Sequence, residues 1–194
     1  MNEIEYFLNS KERALIKLNN AENENKIDEE IKHILKIINS NDNYFTSSSC
    51  SGRIVVIELP SLGDKKEAKF LGKWHRTVKY SEIENAVKLA NNGMIWLLSQ
   101  SPILHIITKS NIFADKMIKT AISSGFKNSG VKSLSVNKVV EICSTERLDA
   151  PIGRDGILYC NKEHLNFLIE ISNNIIKKSK KKLKIFEKNL IKKI

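Results

Sequence analysis

Hydrophobic positions in the N-terminal part of the chain recur at helical spacing. Phe7, Leu8, Leu15 and Leu18 make one stripe, and Ile27, Ile31, Ile34, Leu35 and Ile38 make a second that follows the 3.6-residue period closely. The polar stretch Asn19 to Asn25 predicts a turn between two helices. Asp28, Glu29 and Glu30 suit the first turn of the second helix, and Asn39-Ser40-Asn41 ends it. Beyond that point the pattern shortens. Ile54 to Leu59 predicts a strand bounded by Pro60 to Asp64, and Lys69 to Val78 predicts another that carries Trp74. Ser81-Glu82-Ile83-Glu84 reads as a capping box opening a helix that ends at Gly93. Met94 to Leu98 and Ile103 to Thr108 predict strands split by Ser101-Pro102. Asn111 is placed to cap a helix that ends at Gly125. Ser133 to Asn137, Val139 to Ser144 and Gly156 to Cys160 predict further strands. From Asn161 a long helix is striped by Leu165, Leu168, Ile169, Ser172, Ile175 and Ile176.

This order predicts an α+β fold with mixed or antiparallel sheets, two N-terminal helices and a long C-terminal helix, and not a regular βαβ array. Strand pairs followed by a helix recur, and Ser-Gly precedes a strand at Ser51-Gly52 and again at Ser129-Gly130, which hints at an internal duplication. The chain is expected to form a single domain over 1–194: a helical segment 1–40, an α+β core 41–160 and a basic helix 161–194.

Composition adds a partner class. The 194 residues are 41% hydrophobic, enough for a packed core, and no apolar run approaches membrane-spanning length. The N-terminus shows no leader pattern, so the expectation is a soluble, cytoplasmic protein. Cys50, Cys143 and Cys160 share no metal-ligand spacing, and their odd number argues against a disulfide framework. Lysine and arginine number 32 against 22 acids, giving a net charge of +10. A thermophile's lysine-rich surface would carry matching glutamate; this excess instead favours a polyanionic partner. The excess is densest in the last helix, where Lys177, Lys178 and Lys181 alternate with an apolar stripe of Ile176, Leu183, Phe186, Leu190 and Ile194. Such a helix docks on one side and shows lysine on the other, as a phosphate-tracking face or as a merely solvated one.

Candidate chemistry is sparse. No Gly-x-Gly-x-x-Gly, Walker loop, His-Glu-x-x-His, Cys-x-x-Cys or Gly-x-Ser-x-Gly occurs, which removes the usual signals of Rossmann nucleotide binding, metal hydrolysis and serine hydrolysis. The run Thr46-Ser47-Ser48-Ser49-Cys50-Ser51-Gly52-Arg53 is poor helix material, because its hydroxyls compete for backbone hydrogen bonds. It reads either as a turn whose donors and guanidinium form a pocket for phosphate or carboxylate, or as a polar hairpin turn. His105 interrupts an apolar strand on the face opposite Leu104 and Ile106. Gly125 reads as a left-handed helix cap and Gly130 as a close-approach glycine, which would let Lys127 and Ser129 face a ligand; an ordinary helix-to-strand loop is the alternative. Glu141, in the apolar strand Val139 to Ile142, reads as a solvent-face residue or a paired one, with the solvent face favoured.

These motifs together resemble the tRNA wybutosine-synthesizing protein 3 family. Ile38-Asn39, Asp42 and the run Tyr44-Phe45-Thr46-Ser47-Ser48-Ser49-Cys50-Ser51-Gly52-Arg53-Ile54 resemble its signature almost letter for letter. Lys73-Trp74, Pro102-Ile103-Leu104-His105-Ile106, Ser124-Gly125-Phe126-Lys127-Asn128-Ser129-Gly130 and Ser144-Thr145 with Pro151 follow in the family's order. The chain departs from the pattern at Lys79, where the family has histidine, at Ser101, often glutamate there, and at Lys109, often arginine.

The resemblance implies an S-adenosylmethionine-dependent methyltransferase outside the Rossmann fold. Its substrate would be a ring nitrogen of a wyosine-type tricyclic guanosine beside the anticodon of phenylalanine tRNA. On that reading Ser48, Ser49, Ser51, Arg53, Lys127 and Ser129 hold the cofactor or a phosphate, and His105 contacts the cofactor or takes a proton from the acceptor. Lys73, Trp74, Lys177, Lys178 and Lys181 contact RNA, with no metal involved. The competing expectation is a non-catalytic basic RNA-binding module.

Overall fold

The computed structural model describes residues 2–61 and 66–194. Its elements run α1 (Glu3–Asn23), α2 (Glu29–Ser40), β1 (Tyr44–Cys50), β2 (Arg53–Leu59), β3 (Lys69–Trp74), α3 (Tyr80–Val87), β4 (Met94–Gln100), β5 (Ile103–Thr108), α4 (Asn111–Ser123), β6 (Gly130–Leu134), β7 (Lys138–Cys143), β8 (Arg147–Arg154), β9 (Ile157–Leu158) and α5 (Lys162–Lys193). The α+β class is as expected, and every strand pairing among the described residues is antiparallel.

The chain forms two compact units. Unit 1 comprises Met1–Ser51, Pro102–Thr145 and Lys180–Ile194, and unit 2 comprises Gly52–Ser101 and Glu146–Ser179. Three strand-to-strand steps, after Ser51, Ser101 and Thr145, pass the chain from one unit to the other, and α5 contributes its first half to unit 2 and its second half to unit 1.

Unit 1 is built on a four-stranded sheet ordered β1-β5-β7-β6. Alternation along β5 and β7 sends Leu104, Ile106, Val140 and Ile142 to one face, where Ile31, Ile34, Leu35 and Ile38 of α2, Met117 and Ala121 of α4 and Leu183, Phe186 and Leu190 of α5 bury them. On the other face Phe7 of α1 packs with Phe45 and Ile107. Unit 2 is built on a five-stranded sheet ordered β3-β2-β4-β8-β9. Its core joins Ile54, Val56, Ile95 and Leu97 to Ile83 and Val87 of α3 and Leu165 and Ile169 of α5.

Several boundaries differ from the sequence expectation. The hydroxyl run is not a turn: it is strand β1, paired along β5. Helix α1 extends to Asn23, through most of the expected turn. Helix α3 is capped two residues earlier, at Lys79 rather than Ser81, with Glu82 accepting the Lys79 N–H at 2.9 Å, and ends at Val87 rather than Gly93. Ser110, not Asn111, holds the cap position of α4. The strand expected at Ser133 to Asn137 lies earlier, at Gly130–Leu134, because the hydroxyls of Ser133 and Ser135 bond locally and turn the chain. Strand β8 was not anticipated, since Asp149, Pro151 and Gly153 are poor strand formers. It is held by its pairing with β4, which shifts register beside Pro151. Pro60 and Ser61 follow β2 as expected, and the rest of that predicted turn, Leu62 to Asp64, lies outside the described residues.

Candidate functional site

The β1–β5 ladder shifts register between Thr46 and Ser48, so that Ser47 is an extra, unpaired residue. Such a bulge re-aims the side chains that follow it. It is held from α2 by Asn39, a buried amide that accepts the Thr46 N–H at 2.9 Å and donates to Thr46 Oγ1 at 2.9 Å and to Leu35 O at 2.8 Å. Beyond the bulge Ser48 lies opposite His105, and His105 lies opposite Glu141. Residues directly opposite in antiparallel strands share a face, so the three form a row across β1, β5 and β7.

The row is hydrogen-bonded throughout. Ser48 Oγ is 2.7 Å from His105 Nδ1, and His105 Nε2 is 2.8 Å from Glu141 Oε2. Lys132, on edge strand β6, donates to Glu141 Oε1 at 3.3 Å. The His105 and Glu141 side chains are 26% and 22% exposed, sheltered yet reachable. The hydrogen bond from His105 holds the Glu141 carboxyl below its ordinary value, aided by Lys132 and opposed by burial. An ionised carboxylate only accepts, so His105 Nε2 donates to Glu141, and the tautomer with its hydrogen there leaves Nδ1 free to accept from the Ser48 hydroxyl. The path can move a proton from the serine hydroxyl to an imidazole that a carboxylate stabilises.

Unit 2 carries a second polar row. Arg53, Gln100 and Arg147 lie opposite one another on β2, β4 and β8. Arg53 Nε donates to Gln100 Oε1 at 2.8 Å, and its guanidinium sits 5.8 Å from the Phe70 ring centre. Arg147 pairs with Asp149.

The other expected site residues fall as follows. Ser49 is half-buried on β1, and Ser51 is buried, its N–H donating to Asp28 Oδ2 at 2.8 Å. Gly125 has φ +95°, the left-handed cap the sequence predicts. It opens the loop in which Lys127 is exposed. Ser129 Oγ donates to Phe126 O at 2.7 Å and accepts the Cys143 N–H at 3.3 Å, so its hydroxyl fastens this loop to β7. Gly130 has open space where a Cβ would stand, which removes the close-approach reading. Lys73 is exposed on β3, whereas Trp74 is half-buried against the unit 2 core. Lys177, Lys178 and Lys181 are exposed on α5, the first two in unit 2 and the third in unit 1. Glu141 corrects the solvent-face reading: it is the paired member of the row, and with Lys132 it is what sequence reasoning missed. The available signal was a lone acid in register with a lone histidine on neighbouring apolar strands.

Comparison with known proteins gives these features a context. Residues 9–192 match the family described as methyltransferase TYW3. The tRNA(Phe) 7-((3-amino-3-carboxypropyl)-4-demethylwyosine(37)-N(4))-methyltransferase 1 of Pyrococcus furiosus is 46% identical over 187 residues, covering 96% of this chain and 95% of the relative. A relative of the same name-type from Methanocaldococcus jannaschii is 43% identical over 176 residues, covering 90% of this chain and 91% of the relative. A solved structure of a Pyrococcus horikoshii protein has a TM-score of 0.92 at 45% identity and covers 98% of both chains. Another, from Aeropyrum pernix, has a TM-score of 0.73 at 28% identity, covering 86% of this chain and 99% of that one. Antiparallel sheets with these relatives define an α+β tRNA methyltransferase built without the Rossmann fold. The chain belongs to the methyltransferase TYW3 family.

Proposed function

We propose that this protein methylates N4 of 7-(3-amino-3-carboxypropyl)-4-demethylwyosine at position 37 of phenylalanine tRNA, using S-adenosylmethionine. The activity named for relatives at 42–46% identity supports the substrate. The observation that carries the mechanism is the Ser48–His105–Glu141 row. N4 carries a hydrogen that must leave as the methyl group arrives. The Ser48 hydroxyl takes that proton as it passes its own to His105 Nδ1, and Glu141 stabilises the resulting imidazolium. S-adenosylmethionine, when bound, would supply the electrophilic methyl group that N4 accepts. Methyl transfer is an in-line displacement, so holding both partners supplies much of the acceleration.

The residues present suit such a cofactor. Within unit 1, Ser48 and Ser49 offer hydroxyls and Lys127 an exposed ammonium. Ser51 and Ser129 support these groups through the backbone contacts described above. The exposed lysines of α5 and Lys73 supply sequence-independent attraction for the tRNA backbone, and an anticodon-loop purine is accessible as an unpaired base. Mass spectrometry of nucleosides from tRNA(Phe) incubated with the protein and a labelled methyl donor tests the reading. One added methyl at N4 is expected; no label in the tricyclic base refutes it.

A further inference from the structure

Unit 1 holds a cleft of about 430 Å³ between α1 and β1, a volume within the range of small-molecule sites. Its walls are amphiphilic. Leu18, Ile31, Phe45 and Ile107 supply apolar surface. Arg13 and Lys17, four residues apart and so on one face of α1, also line it. Neither makes a hydrogen bond or ion pair with another described residue. Asp28 contributes a carboxylate to the same cleft, and Asn137 an amide whose buried Oδ1 has no hydrogen-bond partner among the described residues. A buried acceptor without a donor is costly, and a ligand that brings an N–H removes that cost. Ser48 lines the cleft as well, with its Oγ on His105, so the cleft opens where the proton path ends.

These features ask for one ligand with three properties: an anionic group for Arg13 and Lys17, a cationic donor for Asn137 and Asp28, and methylenes for the apolar walls. A phosphodiester meets only the first, and Asp28 would repel it. We propose that the α1–β1 cleft receives an α-amino-acid terminus, with its carboxylate at Arg13 and Lys17 and its ammonium at Asn137. The proposal rests on the function proposed above, in which two molecules carry that group: the tricyclic base, through its 7-(3-amino-3-carboxypropyl) chain, and S-adenosylmethionine. Substrate discrimination by side chain is then a property of a cleft that adjoins the methyl-transfer chemistry.

The test uses the full chain with Arg13→Gln/Lys17→Gln and, separately, Asn137→Ala. Circular dichroism checks that each variant folds. Three quantities are measured: Kd for S-adenosylmethionine by calorimetry, KM for tRNA(Phe) bearing the substituted base, and KM for tRNA(Phe) bearing 4-demethylwyosine without the side chain. If the base occupies the cleft, KM for the substituted tRNA rises about tenfold or more, as loss of a charge-assisted contact requires, while the other two values hold. If the cofactor occupies it, its Kd rises by a similar factor and KM for both tRNAs holds at saturating cofactor. Equal weakening of both tRNAs with a shallower salt dependence identifies a phosphate contact and overturns the proposal, as does no change in any value. A wild-type protein that binds the cofactor but labels neither tRNA refutes the functional reading instead. The cofactor titration of the variants then still decides the cleft, and an unchanged Kd there overturns it.

Discussion

In unit 1 the polar row reads Ser48, His105, Glu141; in unit 2 it reads Arg53, Gln100, Arg147. Both cross three antiparallel strands, and both interrupt sheets whose other faces are packed with aliphatic side chains. They differ in what a proton can do. Every member of the first row can donate or accept, and one is an imidazole. The second contains two guanidiniums, which stay charged across the working pH range, and an amide that does not titrate. Proton chemistry and fixed positive charge are thus assigned to different sheets, so substitutions in one row should change a pH profile that substitutions in the other leave alone.

The largest effect belongs to His105→Ala. Methyl transfer should fall by about 10² or more, the contribution expected of a general acid–base group. A single-turnover rate within about threefold of wild type would remove His105 from the chemistry. Arg53→Ala comes next. Loss of one charged hydrogen-bonding group predicts a rise of about tenfold in KM or cofactor Kd, with the pH dependence of kcat unchanged. A shifted pH profile in that variant would erase the division between the rows.

Glu141→Gln should cost less activity, because the imidazole keeps its place, but it should alter both pH profile and stability. Glu141 is held below its ordinary 4.5, so ionisation stabilises the folded state. That contribution is complete above the ordinary carboxylate range and is lost as pH falls through the depressed value. The stability gap between wild type and Glu141→Gln in urea titrations should therefore be widest near neutrality and close on acidification. A gap that is constant down to strong acid contradicts the pairing. Smallest in activity is Asn39→Leu, which leaves the buried Thr46 N–H without its acceptor; about 1–3 kcal/mol of stability should go, as measured by denaturant unfolding.

The first row was only half legible in the sequence. Helices α2 and α5 announced themselves through unbroken 3.6-residue stripes, and β4 and β5 through the Ser101-Pro102 break. Their burial depends on local periodicity, which a sequence displays directly. Strand β1 did not, because Thr46 to Ser49 hold no apolar alternation and owe their extended state to pairing with β5. Strand β8 was hidden for a related reason: its pairing partner overrides the poor propensity of Asp149, Pro151 and Gly153. His105 drew notice as a polar residue in an apolar strand. Glu141 met the same criterion, yet what makes it functional is register with His105, a long-range fact that no local pattern carries. The family resemblance reached the serine strand and the histidine but not the Glu141–Lys132 end of the row.

The bulge at Ser47 has a consequence for how the hydroxyl run can vary. A change that straightens the ladder without altering its length would put Ser47 opposite His105 and swing the Ser48 hydroxyl to the far side of the sheet, away from the imidazole. The run is therefore a choice among like letters: the bulge selects Ser48, rather than its neighbour Ser47, as the hydroxyl that meets the histidine.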